Sequence, residues 1–324
     1  MASPTAQPGL KLFRVFALGS AVLAFALAIL GSWVRINEAG MTCPDWPLCR
    51  GALVPQLVGG VVLEWSHRAI ALSVGFVIIG AFITGWRLRR SIAGVSGALI
   101  ALVAIFVAQV AVGGWTIKVA NSPASVAVHW ATAMALLSTL TVLSLLALVA
   151  PPYRPQHRVP ARSRSAVWLL SLAAAFGFVT MCIGSYVSSS HFGLACSTVP
   201  ACDGTLLGRD PGQLAQMLHR LAALSFFIVG AFATWMTTRS GARRAAALAL
   251  IALVLVVLQI ALGIGNVVLH MPTLLREAHA ANAVISFLAY VIGAFFAVLD
   301  PVGRRVSDSE VAVRAASPVM ASSK

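Results

Sequence analysis

Apolar residues in this chain do not alternate with polar ones. They gather into long runs separated by short clusters of arginine, glycine and proline. Runs able to cross about 30 Å of hydrocarbon occur eight times, at 13–36, 61–86, 92–116, 125–149, 166–189, 213–238, 244–268 and 276–299. Their length and their alanine, leucine and valine content predict helices, which satisfy every backbone hydrogen bond internally inside lipid. The expected fold class is an all-α integral membrane protein.

Composition agrees: 59% of the 324 residues are hydrophobic and 10% charged, too little polar surface for a soluble domain of this size. The net charge of +14 does not indicate nucleic acid, because the basic residues cluster between the apolar runs. Sixteen of the 23 fall on alternate connectors, from Lys11 and Arg14 to Arg304, Arg305, Arg314 and Lys324. By the positive-inside rule both termini are then cytoplasmic, and the loops at 37–60 and 190–212 face outward from the plasma membrane. The first run is too long for a signal peptide and reads as a retained span. The Pro/Arg-rich segment 151–165 is the one plausible linker, and the tail 302–324 is expected to be poorly ordered.

The two halves repeat. Gly31-Ser32-Trp33-Val34 matches Gly184-Ser185-Tyr186-Val187, a shift of 153. Gly40 and Cys43 match Gly193 and Cys196 at the same shift; His67-Arg68 matches His219-Arg220 at 152. Gln109, Gly113 and His129 match Gln259, Gly263 and His279 at 150. Four spans per half preserve orientation, so the expected architecture is two parallel four-helix-bundle repeats, 1–158 and 159–324.

Each half carries a histidine early in its second span and another early in its fourth. About five residues inside the outer face, both lie near 8 Å in depth, as two axial haem ligands on a four-helix bundle require. Interhelical hydrogen bonding is the alternative. Zinc or copper wants three or four clustered ligands. Gly75, Gly80, Gly113 and Gly114 leave room for a macrocycle or serve helix packing. Arg68 and Arg220 either pair with haem propionates or snorkel to the headgroups. His157, in the basic linker, and His191 and His270, opposite Glu38 and Ala120, read as loop or interface residues.

Cys43/Cys49 and Cys196/Cys202 lie on the oxidising side and read as short-loop disulfides. They are either staples or redox-active pairs, the first being the better redox candidate. Cys182 reads as a buried apolar thiol. Glu64 breaks the symmetry, because Gln216 stands at its position in the second half. A carboxylate one turn above His67, in one half only, marks that half as reactive. Pairing with Arg68 or a neighbouring helix is the alternative.

Cys43-Pro-Asp-Trp-Pro-Leu-Cys49, Glu64-x-x-His67-Arg68, His129, His219-Arg220 and His279 together resemble the haem A synthase family across the membrane region. The resemblance implies a haem b cofactor held by His219 and His279, and haem O as substrate near His67 and His129. It makes Glu64 the essential carboxylate. The implied reaction oxidises the C8 methyl of haem O to a formyl through two hydroxylations and loss of water, giving haem A for cytochrome oxidase. Implied partners are haem O and haem A, a haem O synthase, cytochrome oxidase assembly factors and the lipid bilayer; homo-oligomer formation stays open. A di-haem electron-transfer cytochrome linked to quinone is the main rival, and a haem carrier the second. The cytochrome leaves Glu64 and the tryptophan-bearing loop unexplained.

Overall fold

In a computed structural model, which describes residues 8–149 and 161–300, the chain forms eight long helices. They are α1 (Pro8–Ile36), α2 (Gly60–Leu88), α3 (Val95–Lys118), α4 (Pro123–Val149), α5 (Ala161–Ser189), α6 (Pro211–Thr238), α7 (Arg243–Val268) and α8 (Thr273–Leu299). All eight are long and apolar enough to cross a membrane, and no strand occurs among the described residues. The chain is an all-α, multi-pass membrane protein. Helix limits agree with the hydropathy runs to within a few residues. The third starts latest, at Val95 instead of 92, because Gly94 turns into the left-handed region. The boundary proposed at 158/159, His157 and the tail 302–324 lie outside the described residues.

The helices stop where the sequence supplies turn chemistry. Asp210 caps α6, accepting from the N–H groups of Gly212 and Gln213, with Pro211 in the first turn. Beyond α1 and α5, Glu38 and His191 have positive φ; beyond α3 and α7, Ala120-Asn121 and His270-Met271 do. His191 and His270 are therefore turn residues whose backbone shape recurs in the other half with different side chains.

Both halves pack alike. Within each, the first helix lies against the second and fourth, and the third against the fourth. The seam between halves is formed by α1, α4, α5 and α8. At its outer end, Arg35 Nη1 donates to Ser188 Oγ at 2.6 Å. These residues are each other's repeat mates, so the bond lies on the pseudo-two-fold axis. Closely packed small residues, among them Ala17, Ala81, Ala147, Ala173, Ala233 and Ala249, are buried in a single core that includes helices of both halves. The C-terminal half is the more tightly packed: α6 packs on α7 more extensively than α2 on α3, and α7 on α8 more than α3 on α4.

A polar clamp closes the C-terminal half at its other end. Asp300 accepts from the N–H groups of Arg244 (2.8 Å) and Ala245 (3.1 Å) and from Arg244 Nε (2.6 Å). It thus caps the start of α7 from the end of α8. Asp300→Ala is expected to destabilise the fold by about 1–2 kcal/mol, and Asp300→Asn by less. Thermal unfolding in detergent measures both.

Candidate functional site

The four histidines stand six to eight residues beyond the starts of α2, α4, α6 and α8, about 9–12 Å along each axis. That is slightly deeper than the apolar runs suggest, because the helices begin earlier. His219 and His279 face each other with ring centroids 6.5 Å apart and planes at 68°. His67 and His129 form the corresponding pair in the first half and lie within electrostatic reach of each other.

Every one of these rings is seated on a glycine of a neighbouring helix. A Cβ built on Gly31 of α1 would lie 2.9 Å from His67 Cε1, and one on Gly184 of α5 would lie 2.7 Å from His219 Cε1. Gly113 of α3 and Gly263 of α7 stand in the same relation to His129 and His279, at 3.1 and 3.2 Å. Only a residue without a side chain lets the imidazole approach so closely. Gly113 is thus a histidine seat, while Gly75, Gly80 and Gly114 face Phe106, Phe16 and Trp46. The spaces expected beside these glycines are occupied by rings of the protein itself.

The imidazoles keep unused hydrogen-bonding capacity. Nδ1 of His67 is buried without a hydrogen-bond partner, and those of His219 and His279 lack a well-formed one although the backbone of Thr180 and of Gln259 lies close, while each residue as a whole is only half-buried. The accessible surface therefore belongs to the other atoms of each residue. In the fourth case, the Gln109 amide nitrogen lies 3.5 Å from both ring nitrogens of His129, and Gln109 Oε1 accepts from the Thr132 hydroxyl. Gln259 Oε1 likewise accepts from Asn282 Nδ2, at 2.8 Å.

Glu64 is buried, and three donors converge on it. Thr42 Oγ1 (2.9 Å) and the Cys43 N–H (2.8 Å) donate to Oε2, and Arg68 Nη2 (2.6 Å) to Oε1. Gln216 does the same work without charge: its Oε1 accepts from the Cys196 N–H at 2.6 Å, and its Nε2 donates to the Gly193 carbonyl at 2.7 Å. Both residues anchor the outer loop that precedes their own helix. Arg68 completes the anchor, Nη1 donating to the carbonyls of Asp45 and Leu48 and Nη2 to that of Cys43. Arg220 Nη1 reaches the carbonyls of Thr198, Pro200 and Ala201, while its Nη2 is buried without a partner.

The anchored loops are closed by the disulfides Cys43–Cys49 and Cys196–Cys202, each followed by one antiparallel bridge, Cys49 to Ala52 and Cys202 to Thr205. Cys182 is a free, half-buried thiol. Asp45 accepts from the N–H groups of Gly51 and Arg50, bonds that hold its carboxyl below the usual carboxylate range, that from Gly51 first. In the second loop, the Ser197 hydroxyl does the same for Asp203. Trp46, from the first loop, lies on Gly114. The matching positions hold Val199 and Ile264, so the large and small partners change places between halves.

No group of three or more His, Cys, Asp or Glu residues suited to a metal ion occurs among the described residues. Paired imidazoles instead suit an iron whose equatorial positions are filled by a porphyrin. His219 and His279, with ring centroids 6.5 Å apart, are a donor pair that could hold such an iron. The glycine seats, the side-chain partners of Gln109 and Gln259, and the meeting of Arg35 with Glu277 escape a single-sequence reading, because these contacts are tertiary. The recurrence of Gly31 at Gly184 and of Gly113 at Gly263 was the available signal. Gly184→Ala is expected to displace its histidine and lower haem content more than Gly263→Ala, with pyridine haemochrome spectra as the measure.

The family model COX15-CtaA, described as cytochrome oxidase assembly protein, matches residues 14–58 and 59–291. The chain is similar to the "Heme A synthase" of Shewanella oneidensis, at 26% identity over 85% of this chain and 93% of that protein. It is also similar to those of Bacillus licheniformis (26%; 77% and 84%) and Shouchella clausii (27%; 82% and 90%). With most of its length matched by that model, the chain belongs to the COX15-CtaA family of cytochrome oxidase assembly proteins.

Proposed function

We propose that this protein is a haem A synthase, an oxidoreductase that converts the C8 methyl group of haem O to a formyl group. The observation that carries the reading is the asymmetry between two otherwise matched histidine pairs, Glu64 in one half against Gln216 in the other. Family membership and the names of the similar proteins support it.

In this reading the C-terminal half would hold haem b between His219 and His279. Haem b there supplies one-electron redox chemistry. Gly184 and Gly263 fix the ring positions, and the free Nη2 of Arg220 is available to a propionate. The N-terminal half receives haem O, with His67 and His129 beside the iron of the substrate. Trp46 and the disulfide-closed loop cover this half on the side from which the helices start. The looser α2–α3 seam suits a pair that must accept and release its haem.

Glu64 acts in the substrate half as a fixed carboxylate, ion-paired with Arg68, one turn above His67. Three donors hold it still, a geometry better suited to stabilising positive charge during methyl oxidation than to carrying a proton away. Arg68 serves there chiefly as the loop clamp, its propionate role being secondary to four bonds already made. The site faces the outside of the plasma membrane, with both termini cytoplasmic, as the arginine distribution indicates. A haem O synthase is the natural donor of the substrate, and cytochrome oxidase assembly the destination of the product.

Glu64→Gln is the decisive variant, because Gln216 already shows that glutamine anchors such a loop. Haem loading should persist while conversion of haem O to haem A falls roughly a hundredfold. An unchanged rate would sink the assigned role. In the wild-type protein, the extracted pigment should be haem b with haem O or haem A. Two equivalents of haem b would indicate an electron-transfer cytochrome instead.

A further inference from the structure

A haem is anionic along one edge, and inside a bilayer its two propionates need donors from the protein. In the C-terminal half, two guanidinium nitrogens are buried without a hydrogen-bond partner among the described residues, Arg220 Nη2 and, on α8, Arg276 Nε. At 100° and 1.5 Å per residue, Arg276 lies about 60° around α8 from His279 and about 4.5 Å nearer the helix start. It thus overhangs the same face of the helix as the histidine.

The adjacent carboxylate does not neutralise it. Consecutive residues on a helix do not face each other, and Glu277 stands about 160° from His279. The Glu277 carboxylate lies within electrostatic reach of Arg35 of α1 across the seam, with both oxygens buried and without a hydrogen-bond partner. Arg35 in turn faces Arg276 as well as Glu277. Two guanidinium groups and one carboxylate leave one positive charge over at the seam. An anion at Arg276 balances it.

We propose that Arg276 binds one propionate of the haem held between His219 and His279, with Arg220 Nη2 taking the other. The assignment rests on the reading of those histidines as haem ligands. It also distinguishes the halves. The repeat mate of Arg276 is Val126, and the Arg68 guanidinium is committed to the loop and Glu64. At these two positions the first half offers fewer free charges to a propionate, as a site that exchanges its haem requires. The second tethers its haem at both ends of the anionic edge.

The test uses full-length protein reconstituted in detergent with haem b or with haem b dimethyl ester, whose propionates carry no charge. Transfer of the pigment to apomyoglobin gives the release rate. Losing a charge-assisted bond of about 1.5–3 kcal/mol should make Arg276→Gln release haem b at least about tenfold faster than wild type. Its two-histidine low-spin spectrum should remain. Arg276→Lys should fall between, and the ester should leave wild type and Arg276→Gln at equal rates. Glu277→Gln should release haem b no faster than wild type. Equal haem b release from wild type and Arg276→Gln overturns the assignment, as does equal acceleration of the ester or the same acceleration by Glu277→Gln. If the wild-type protein gives no two-histidine haem spectrum with either pigment, the haem reading itself fails, and this assignment with it.

Discussion

The contact between an imidazole and a bare glycine backbone, made four times, determines where chemistry can take place in this protein. Histidine in a bilayer is costly unless its nitrogens have partners, and side-chain hydrogen bonds do not supply them at Nδ1 of His67, His219 or His279. Gly31, Gly113, Gly184 and Gly263 draw each ring against the neighbouring helix. The ring is thereby positioned by backbone rather than by a polar network, and what remains accessible is left for a ligand. A methyl group at any of these glycines would meet the ring at or inside normal contact distance.

On that shared frame the two halves diverge at few places. Glu64 and Gln216 accept from the equivalent cysteine N–H, yet only Glu64 adds a charge and an ion pair with Arg68. Trp46 on Gly114 gives way to Val199 and Ile264. The α2–α3 seam is looser than α6–α7. Arg276 and Glu277 have Val126 and Ala127 as mates. Under the proposed function, each change would separate a half that handles a visiting haem from one that keeps a resident haem.

Much of this was legible in the chain. Hydropathy runs located all eight helices, and the shifts of 150–153 aligned residues that prove equivalent even in backbone turn conformation, such as Glu38 with His191. The histidine pairs and the cysteine pairs followed from the same alignment. The side-chain partners did not. Arg68 beside His67 suggested a propionate ligand, but its guanidinium is turned to loop carbonyls more than twenty residues away in the chain. Gly75, Gly80 and Gly114 suggested open space, but each meets an aromatic ring from a distant segment. Glu277 drew no notice beside Glu64, because only the folded seam brings it to Arg35. Periodicity reports which face is apolar, not which distant residue meets it.

The central claim is a division of labour between two matched histidine pairs, and pigment analysis of single-histidine variants tests it most directly. Haems extracted from purified His129→Ala and His279→Ala proteins would be separated and quantified. The account predicts that His279→Ala loses haem b, whereas His129→Ala keeps haem b and loses the haem O or haem A component. Loss of haem b from His129→Ala with its retention in His279→Ala would contradict it.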